Sequence, residues 1–250
     1  MKQSHMKQSY EKIFHSRAKP YDEAMRRFPH ARDEEFKQLI DRVVLKPGMV
    51  VADVPAGGGY LKHYLPDECQ LLCHEPCAGF SESQTLHTPT PSLLPLPWSD
   101  STVDVAMSLA GVHHMDDKRP LFRELYRTVK AGGYFILSDV ARNSDVAIFL
   151  DDYVGKFNST GHEGNYLDDA TLTELKETGW TIESTENSHF HWKFSTLLEI
   201  PEFCNMLFDI SKPDTHSSVD EIESFLPIDK LQDGKYGLRW QLMTVVAKKL

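Results

Sequence analysis

The segment Asp53-Val54-Pro55-Ala56-Gly57-Gly58-Gly59 places an acidic side chain just ahead of three consecutive glycines. Glycine has no Cβ and tolerates positive φ, so a turn of this kind lets a ligand approach the main chain closely. A dinucleotide site needs G-x-G-x-x-G, so that a pyrophosphate can rest on a helix N-terminus. Here the first glycine would be Pro55, or, counting from Gly57, the third would be Lys62, and the spacing fails in both registers. Asp53 would also repel a diphosphate, whereas it could favourably meet a cation. The turn suits a nucleoside cofactor with a sulfonium and an amino-acid tail better than a nicotinamide dinucleotide.

Two further groups of residues could do chemistry. His113 and His114 adjoin each other and Asp139 follows later, all three after apolar runs. Histidine is the natural proton acceptor near neutral pH, so His114 and His113, ahead of Asp139, are candidate bases. Each has a structural alternative: the histidines could cap the next helix or pack against a cofactor, and Asp139 could be an N-cap. Cys69, Cys73 and Cys77 beside His74 form C-x3-C-x3-C, one residue longer than the C-x3-C-x2-C of a radical iron–sulfur cluster. They run across an expected strand, whose rise of about 3.3 Å per residue spreads the sulfurs too far for one ion. No metal site is expected, and these cysteines read as buried small hydrophobes.

The elements that position these residues alternate. Phe36, Leu39, Ile40 and Val43 fall at i, i+3, i+4 and i+7, giving a charged helical segment over residues 10–45 that ends at Lys46-Pro47-Gly48. Residues 49–54 form a β-branched apolar run that feeds, through the glycine turn, into a helix. Further strands are expected at 70–75, 103–109 and 134–140, a parallel α/β pattern. Between the last two, Phe122, Leu125 and Val129 share a helix face, with Pro120 in the first turn and Lys130-Ala131-Gly132-Gly133 as a basic last turn and glycine stop. A helix over 169–178 takes Asp168 or Asp169 as N-cap, and strands follow at 180–184 and 239–248. Residues 195–232 form a helical insertion: Phe203, Met206, Leu207 and Ile210 keep helical spacing, Ser218 to Glu221 is a capping box, and 211–218 is the loop. That insertion is either a stabilising hairpin or a cap over substrate. Ligands in open α/β sheets sit beyond the carboxyl ends of the strands, where His113, His114 and Asp139 fall.

Composition narrows the partners. The 250 residues carry 27 Lys+Arg against 37 Asp+Glu, a formal charge of −10, which repels phosphate backbones and anionic headgroups. No nucleic-acid partner is expected. No run approaches the roughly 20 apolar residues of a membrane span, and the start lacks the apolar stretch of a signal peptide, so a cytoplasmic location is expected. Four cysteines are too few for a disulfide scaffold. Residues 1–9, nearly a duplicated pentapeptide, are expected to be disordered.

The chain resembles the class I S-adenosylmethionine-dependent methyltransferases, in the type-11 group that includes ubiquinone/menaquinone-biosynthesis enzymes. Asp53, Ala56, Gly57 and Gly59 match the acidic residue and G-x-G-x-G that open the family's site, with Pro55 for the first glycine. Glu75 stands where the family holds the ribose hydroxyls. Leu96 to Val105 is similar to L-P-F-P-D-x-S-F-D-x-V, Ser108 to His114 to S-x-x-x-L-H-H, and Arg123 to Gly133 to R-E-x-x-R-V-L-K-P-G-G. The position that usually carries the adenine-reading aspartate is Ser92, in a proline-broken stretch.

The resemblance implies a doubly wound, mostly parallel seven-stranded sheet with its last strand antiparallel, forming one domain over 1–250. Its cofactor-binding core is 46–140, with a helical lid over 10–45. S-adenosyl-L-methionine is the implied cofactor, held by Asp53, Pro55, Ala56, Gly57, Gly59, Glu75, Ser92, Leu94, Ser108 and Leu109. The implied reaction is methyl transfer to a small-molecule acceptor by in-line displacement, and the assembly is a monomer or homodimer. Independently of the resemblance, His162, Tyr166, His189, His191 and Trp192 come after the fifth expected strand and could line a substrate pocket or pack a core; Tyr21, Tyr166 and Trp192 are the candidate substrate contacts. Tyr21, Arg26 and Arg32 could close over the methionine carboxylate or form a solvated face. One rival is a silent cofactor-binding partner protein, supported by the altered adenine stretch; the other is a nicotinamide enzyme.

Overall fold

The computed structural model describes residues 10–80, 92–158, 161–210 and 215–250. The expected disorder of 1–9 and the proline-broken residues 88–91 lie outside that range. Two N-terminal helices, α1 (Tyr10–Arg27) and α2 (Asp33–Ile40), precede β1 (Val50–Asp53). The strands β2 (Gln70–Cys73), β3 (Val103–Leu109), β4 (Val129–Asp139), β5 (Thr181–Phe194), β6 (Ile228–Lys230) and β7 (Tyr236–Lys248) complete one sheet of seven, in the order β2-β1-β3-β4-β7-β5 with β6 on β7. β1 to β4 run parallel, and β7 lies antiparallel to both β4 and β5. The doubly wound, mostly parallel sheet with an antiparallel last strand is therefore present.

The pleat sorts the core onto two faces. Val51, Val105, Met107, Ile136 and Val246 turn to one side, against α2 and the aromatic residues of the insertion. Ala52, Ala106, Phe135, Leu137 and Val245 turn to the other, where Phe122 and Leu125 of α3 (Arg119–Thr128) and Leu175 of α6 (Asp169–Glu177) cover them. Trp180 fills the gap between α6 and the sheet and donates its Nε1–H to the Phe122 carbonyl at 3.0 Å. Asp168 caps α6 as expected, accepting from the Ala170 and Thr171 amides.

Several local expectations are corrected. The glycine turn leads into only a 3₁₀ turn, Tyr60–His63, in place of a helix. Helix α3 stops at Thr128, and Val129 already pairs with Val103, so the residues expected to close the helix open the next strand. β5 runs to Phe194 rather than about Ser184, because the long β7 offers its backbone along the whole length. Between β4 and α6 lie α4 (Asp145–Ile148), a wider π-helical stretch (Phe149–Val154) and α5 (Gly155–Phe157). The insertion holds α7 (Glu199–Leu207) and α8 (Thr215–Phe225). α8 starts three residues before Ser218, which is thus inside the helix rather than its cap, and residues 215–218 are helical rather than loop.

The length of β5 and β7 shapes the functional edge. β4 ends at Asp139, paired with Met243, and Met243 in turn faces Asn187. Beyond that level β5 and β7 continue, joined at the far end by β6, as a wall bearing Phe190, Trp192, Trp240 and Leu242, above the carboxyl ends of β1, β3 and β4. The N-terminal helices close the other side. Gln38 of α2 bridges Ser138 and Thr244 at 2.8 and 2.9 Å, and Arg42 reaches Ser188 Oγ at 2.6 Å. Arg27 pairs with Glu202, tying α1 to α7. Among the described residues no helix is long and apolar enough to cross a membrane.

Candidate active site

Two cavities open at this edge and share Tyr21, Arg32 and Ala110 in their walls. The first, a cleft with about 500 Å³ of empty space including the solvent at its mouth, sits over the turn after β1 and is walled by Asp53, Pro55, Ala56, Gly57 and Leu109. Gly57 and Gly59 have φ of +52° and +70°, the left-handed region that L side chains rarely adopt. No protein atom lies within 4 Å of where a Cβ on Gly57 would stand, so the open space belongs to the cleft. Glu75 clamps the turn, its two oxygens accepting from the Gly57 and Cys77 amides at 2.8 Å each.

Asp53 is the electrostatic oddity of this cleft. It is 6% exposed, and burial together with the Glu75 charge pushes its carboxyl up to about 8. Two carboxylates held in a closed space in this way favour an incoming cation. Of the other residues expected to hold cofactor, Gly59, Glu75, Ser92, Leu94 and Ser108 are not part of the cleft's wall. Ser92 is exposed, and its carbonyl is a partner of His74 Nε2 at 3.1 Å. Ser108 is fully buried in β3, and its hydroxyl has no partner among the described residues.

The second cavity, with about 520 Å³ of empty space including the solvent at its mouth, lies between the sheet edge, α1, α2 and α7. His113, His114 and His162 line one side; Trp192, Trp240 and Phe208 line the other. The two tryptophans stack at 3.7 Å between ring centroids. Asp139, fully buried at the tip of β4, accepts from His113 Nδ1 at 2.7 Å and from the His113 amide at 3.0 Å. Burial alone would raise the Asp139 carboxyl, but His113 and the amide donors hold it below the usual range. His114 is kept well below its ordinary value by burial and by His113, His162 and Arg17, so it is neutral. Tyr166 is buried beside His113 and donates its hydroxyl to Asp151 at 2.5 Å.

Arg32 is not on a solvated face. It is buried, with Nε and Nη2 donating to Glu35 at 2.6 and 2.8 Å and Nη1 to the Tyr21 hydroxyl. Trp192 Nε1 donates to the same Glu35 at 2.7 Å. This closed network holds Tyr21 and Trp192 at the junction of the two cavities. Arg26 does lie on the surface, paired with Asp22 and Glu23. Sequence reasoning passed over Arg17, Glu35, Asp151 and Trp240. Nothing local marks Glu35, whose partner Trp192 lies 157 residues away. His189, His191 and Trp192, expected after the fifth strand, lie within it, and alternation sends Trp192 to the cavity while His191 pairs with Asp229. The cysteines are corrected as well: Cys77 is buried, but Cys73 is exposed and Cys69 half-buried.

Residues 53–137 match the sequence profile of a family described as a methyltransferase domain. Phosphoethanolamine N-methyltransferase 3 of Arabidopsis thaliana is 26% identical over 160 residues, covering 57% of this chain and 32% of that one. The chain thus spans about a third of that relative's length. A Thermotoga maritima S-adenosylmethionine-dependent methyltransferase superposes with a TM-score of 0.59 at 15% identity, covering 96% of this chain and 99% of the other. Phosphoethanolamine N-methyltransferase 2 of Haemonchus contortus, solved with S-adenosyl-L-methionine, gives 0.60 at 14% identity, covering 97% and 60%. The matched segment holds the glycine turn, Glu75, the His113-His114 turn and the α3–β4 junction, on the sheet order described above. Residues 53–137 therefore carry a methyltransferase domain of the type-11 group, and the chain has the fold of the class I S-adenosylmethionine-dependent methyltransferases.

Proposed function

We propose that the protein binds S-adenosylmethionine in the cleft over the glycine turn and methylates a small molecule held in the adjoining cavity. The observation that carries this reading is Asp53: a buried carboxyl beside a second carboxylate, in a cleft that a Cβ on Gly57 would begin to fill, fits a cationic ligand with an amino-acid tail. When bound, that cofactor supplies a methyl group activated by a sulfonium. Asp53 and the Gly57 turn would hold its amino-acid end, and Glu75, already fixing the turn, its ribose.

His113 is the proton acceptor in this account. Asp139 has no proton to give near neutral pH, so His113 Nδ1 carries the hydrogen and Nε2 keeps its lone pair. Asp139 is then a positioning residue, its oxygens committed to His113 and Val140, rather than a base. His114, neutral through burial, is the second acceptor. Holding the acceptor in line does most of the catalytic work, and the helices α1 and α2 serve as the lid that excludes water. The stacked Trp192–Trp240 wall favours an acceptor with a flat or apolar body over a strongly charged one. A cytoplasmic setting and one domain over 1–250 go with this reading.

The test is incubation with methyl-labelled S-adenosylmethionine and a panel of small hydroxyl, thiol and amine acceptors that includes phosphoethanolamine, the compound in the plant relatives' names. Label should move to an acceptor with an apolar body and not to protein or RNA, and Asp53→Ala should abolish transfer. Cofactor binding with no transfer to any small acceptor would favour the silent partner instead. Phosphoethanolamine as the sole substrate would refute the role given to the aromatic wall.

A further inference from the structure

The three histidines of the second cavity converge more closely than a substrate wall requires. Among the described residues, His113, His114 and His162 form the group in which one ring nitrogen of each lies within 4.8 Å of those of the other two. Two come from the turn after β3 and the third from the segment after α5. His162 stands 5.6 Å from His113 and 5.5 Å from His114 between ring centroids. Imidazole nitrogens about 2.1 Å from a tetrahedral ion put ring centroids roughly 5 Å apart, so both separations suit a shared ion. The His113–His114 pair, at 4.0 Å, must open by about an ångström, a side-chain rotation of the half-buried His114.

Orientation supplies a second, independent observation. His113 Nδ1–H donates to Asp139 at 2.7 Å, and His162 Nδ1–H to Asp151 at 3.3 Å, where the same oxygen also takes the Tyr166 hydroxyl. Both rings therefore present Nε2 lone pairs, in the carboxylate–histidine arrangement that fixes metal-ligating imidazoles. The two carboxylates also offset the charge that an ion would add beside Arg17 in this cavity. Three imidazoles with no oxygen ligand select zinc-class ions over magnesium or calcium. The cavity side remains open for a fourth ligand, as in catalytic rather than structural sites.

We propose that His113, His114 and His162 bind one divalent transition-metal ion of the zinc class, with one coordination position facing the cavity. This departs from the expectation of no metal. Binding of the ion stands apart from the methyl-transfer reading, whereas its use rests on it. An acceptor hydroxyl or thiol placed at the open position gives up its proton to solvent, and the electron pair left on oxygen or sulfur stays on the ion-bound atom. In the loaded protein the imidazoles are ligands, and the ion takes over the acidification assigned above to His113.

The full chain, stripped with chelator, is titrated with Co²⁺ and followed by its visible absorption, then competed with Zn²⁺. One equivalent should bind with the intense bands of a four- or five-coordinate site. Binding should weaken about 100-fold in His162→Gln and His114→Gln, and 10- to 100-fold in Asp151→Asn. Circular dichroism melts establish that each variant is folded. Ring-nitrogen NMR of the native chain with Zn²⁺ identifies the ligands directly should a variant not fold. Absence of stoichiometric binding to the wild type would overturn the proposal. So would binding undiminished in His162→Gln, which would place the ion outside this cluster. Ion binding without S-adenosylhomocysteine binding would instead count against the methyl-transfer reading and leave the metal site standing.

Discussion

Replacing Asp53 by asparagine should make the ligand-free protein more stable, and the gain should grow with pH. Burial first, and then the Glu75 charge, raise the folded carboxyl from 3.8 to about 8. Between those values the folded state binds a proton that the unfolded chain has released. The contribution of Asp53 to stability is therefore intact below about pH 4, falls as pH rises, and is lost in full above about pH 8. At about 1.4 kcal/mol per pH unit, the penalty is ~2 kcal/mol at pH 5 and ~6 kcal/mol at pH 9. The asparagine never ionises, so the stability gap between the two proteins should widen by about 4 kcal/mol over that range, or about half that where cleft water screens the charge. Urea unfolding of both proteins at pH 5, 7 and 9, without cofactor, measures the gap, in which titrating groups that do not interact with Asp53 cancel. A gap unchanged between pH 5 and pH 9 would refute the argument that this carboxyl is held protonated. The same variant should lose cofactor affinity, because a cation in the cleft needs the ionised form. The wild type should accordingly release a proton on binding near pH 7.

Other perturbations probe separate parts of the molecule. Glu35→Ala leaves Arg32 and the Trp192 N–H buried without their acceptor and should cost about 3–5 kcal/mol in urea unfolding. Asp168→Ala removes the cap of α6 and should cost about 1 kcal/mol, with the site untouched. Asp139→Asn should lower turnover about 100-fold or more while S-adenosylhomocysteine affinity stays nearly constant, since the change frees the His113 tautomer without reaching the cleft; isothermal calorimetry and labelled-methyl assays read the two effects separately. Gly57→Val should abolish cofactor binding and cost roughly 1–2 kcal/mol of stability, because its φ is positive and the new side chain enters the cleft.

Much of the cofactor half was legible because it is local. The residues from Asp53 to Gly59, the carboxylate Glu75 and the turn at His113 follow one another along a short stretch, and their spacing is set by strand and turn geometry. β3 fell where its apolar run ends, at Leu109. The acceptor half was less legible because distant segments assemble it. Glu35 meets Trp192, and Trp240 stacks on Trp192, through contacts that no periodicity announces. His162 was noticed as an aromatic residue near the site, but only the fold shows that it approaches His113 and His114. Strand length was underestimated for the same reason: Thr185 to Asn187 are polar, and what keeps β5 extended there is pairing with β7, not its own composition.

The central claim is that the cleft over the glycine turn holds the methyl donor. Its most direct test is calorimetric titration of the full chain with S-adenosylmethionine and S-adenosylhomocysteine, alongside Asp53→Ala and Gly57→Val. Micromolar binding of one equivalent, lost in both variants, is the predicted result. No binding by the wild type at millimolar ligand, or binding that both variants retain, would contradict it.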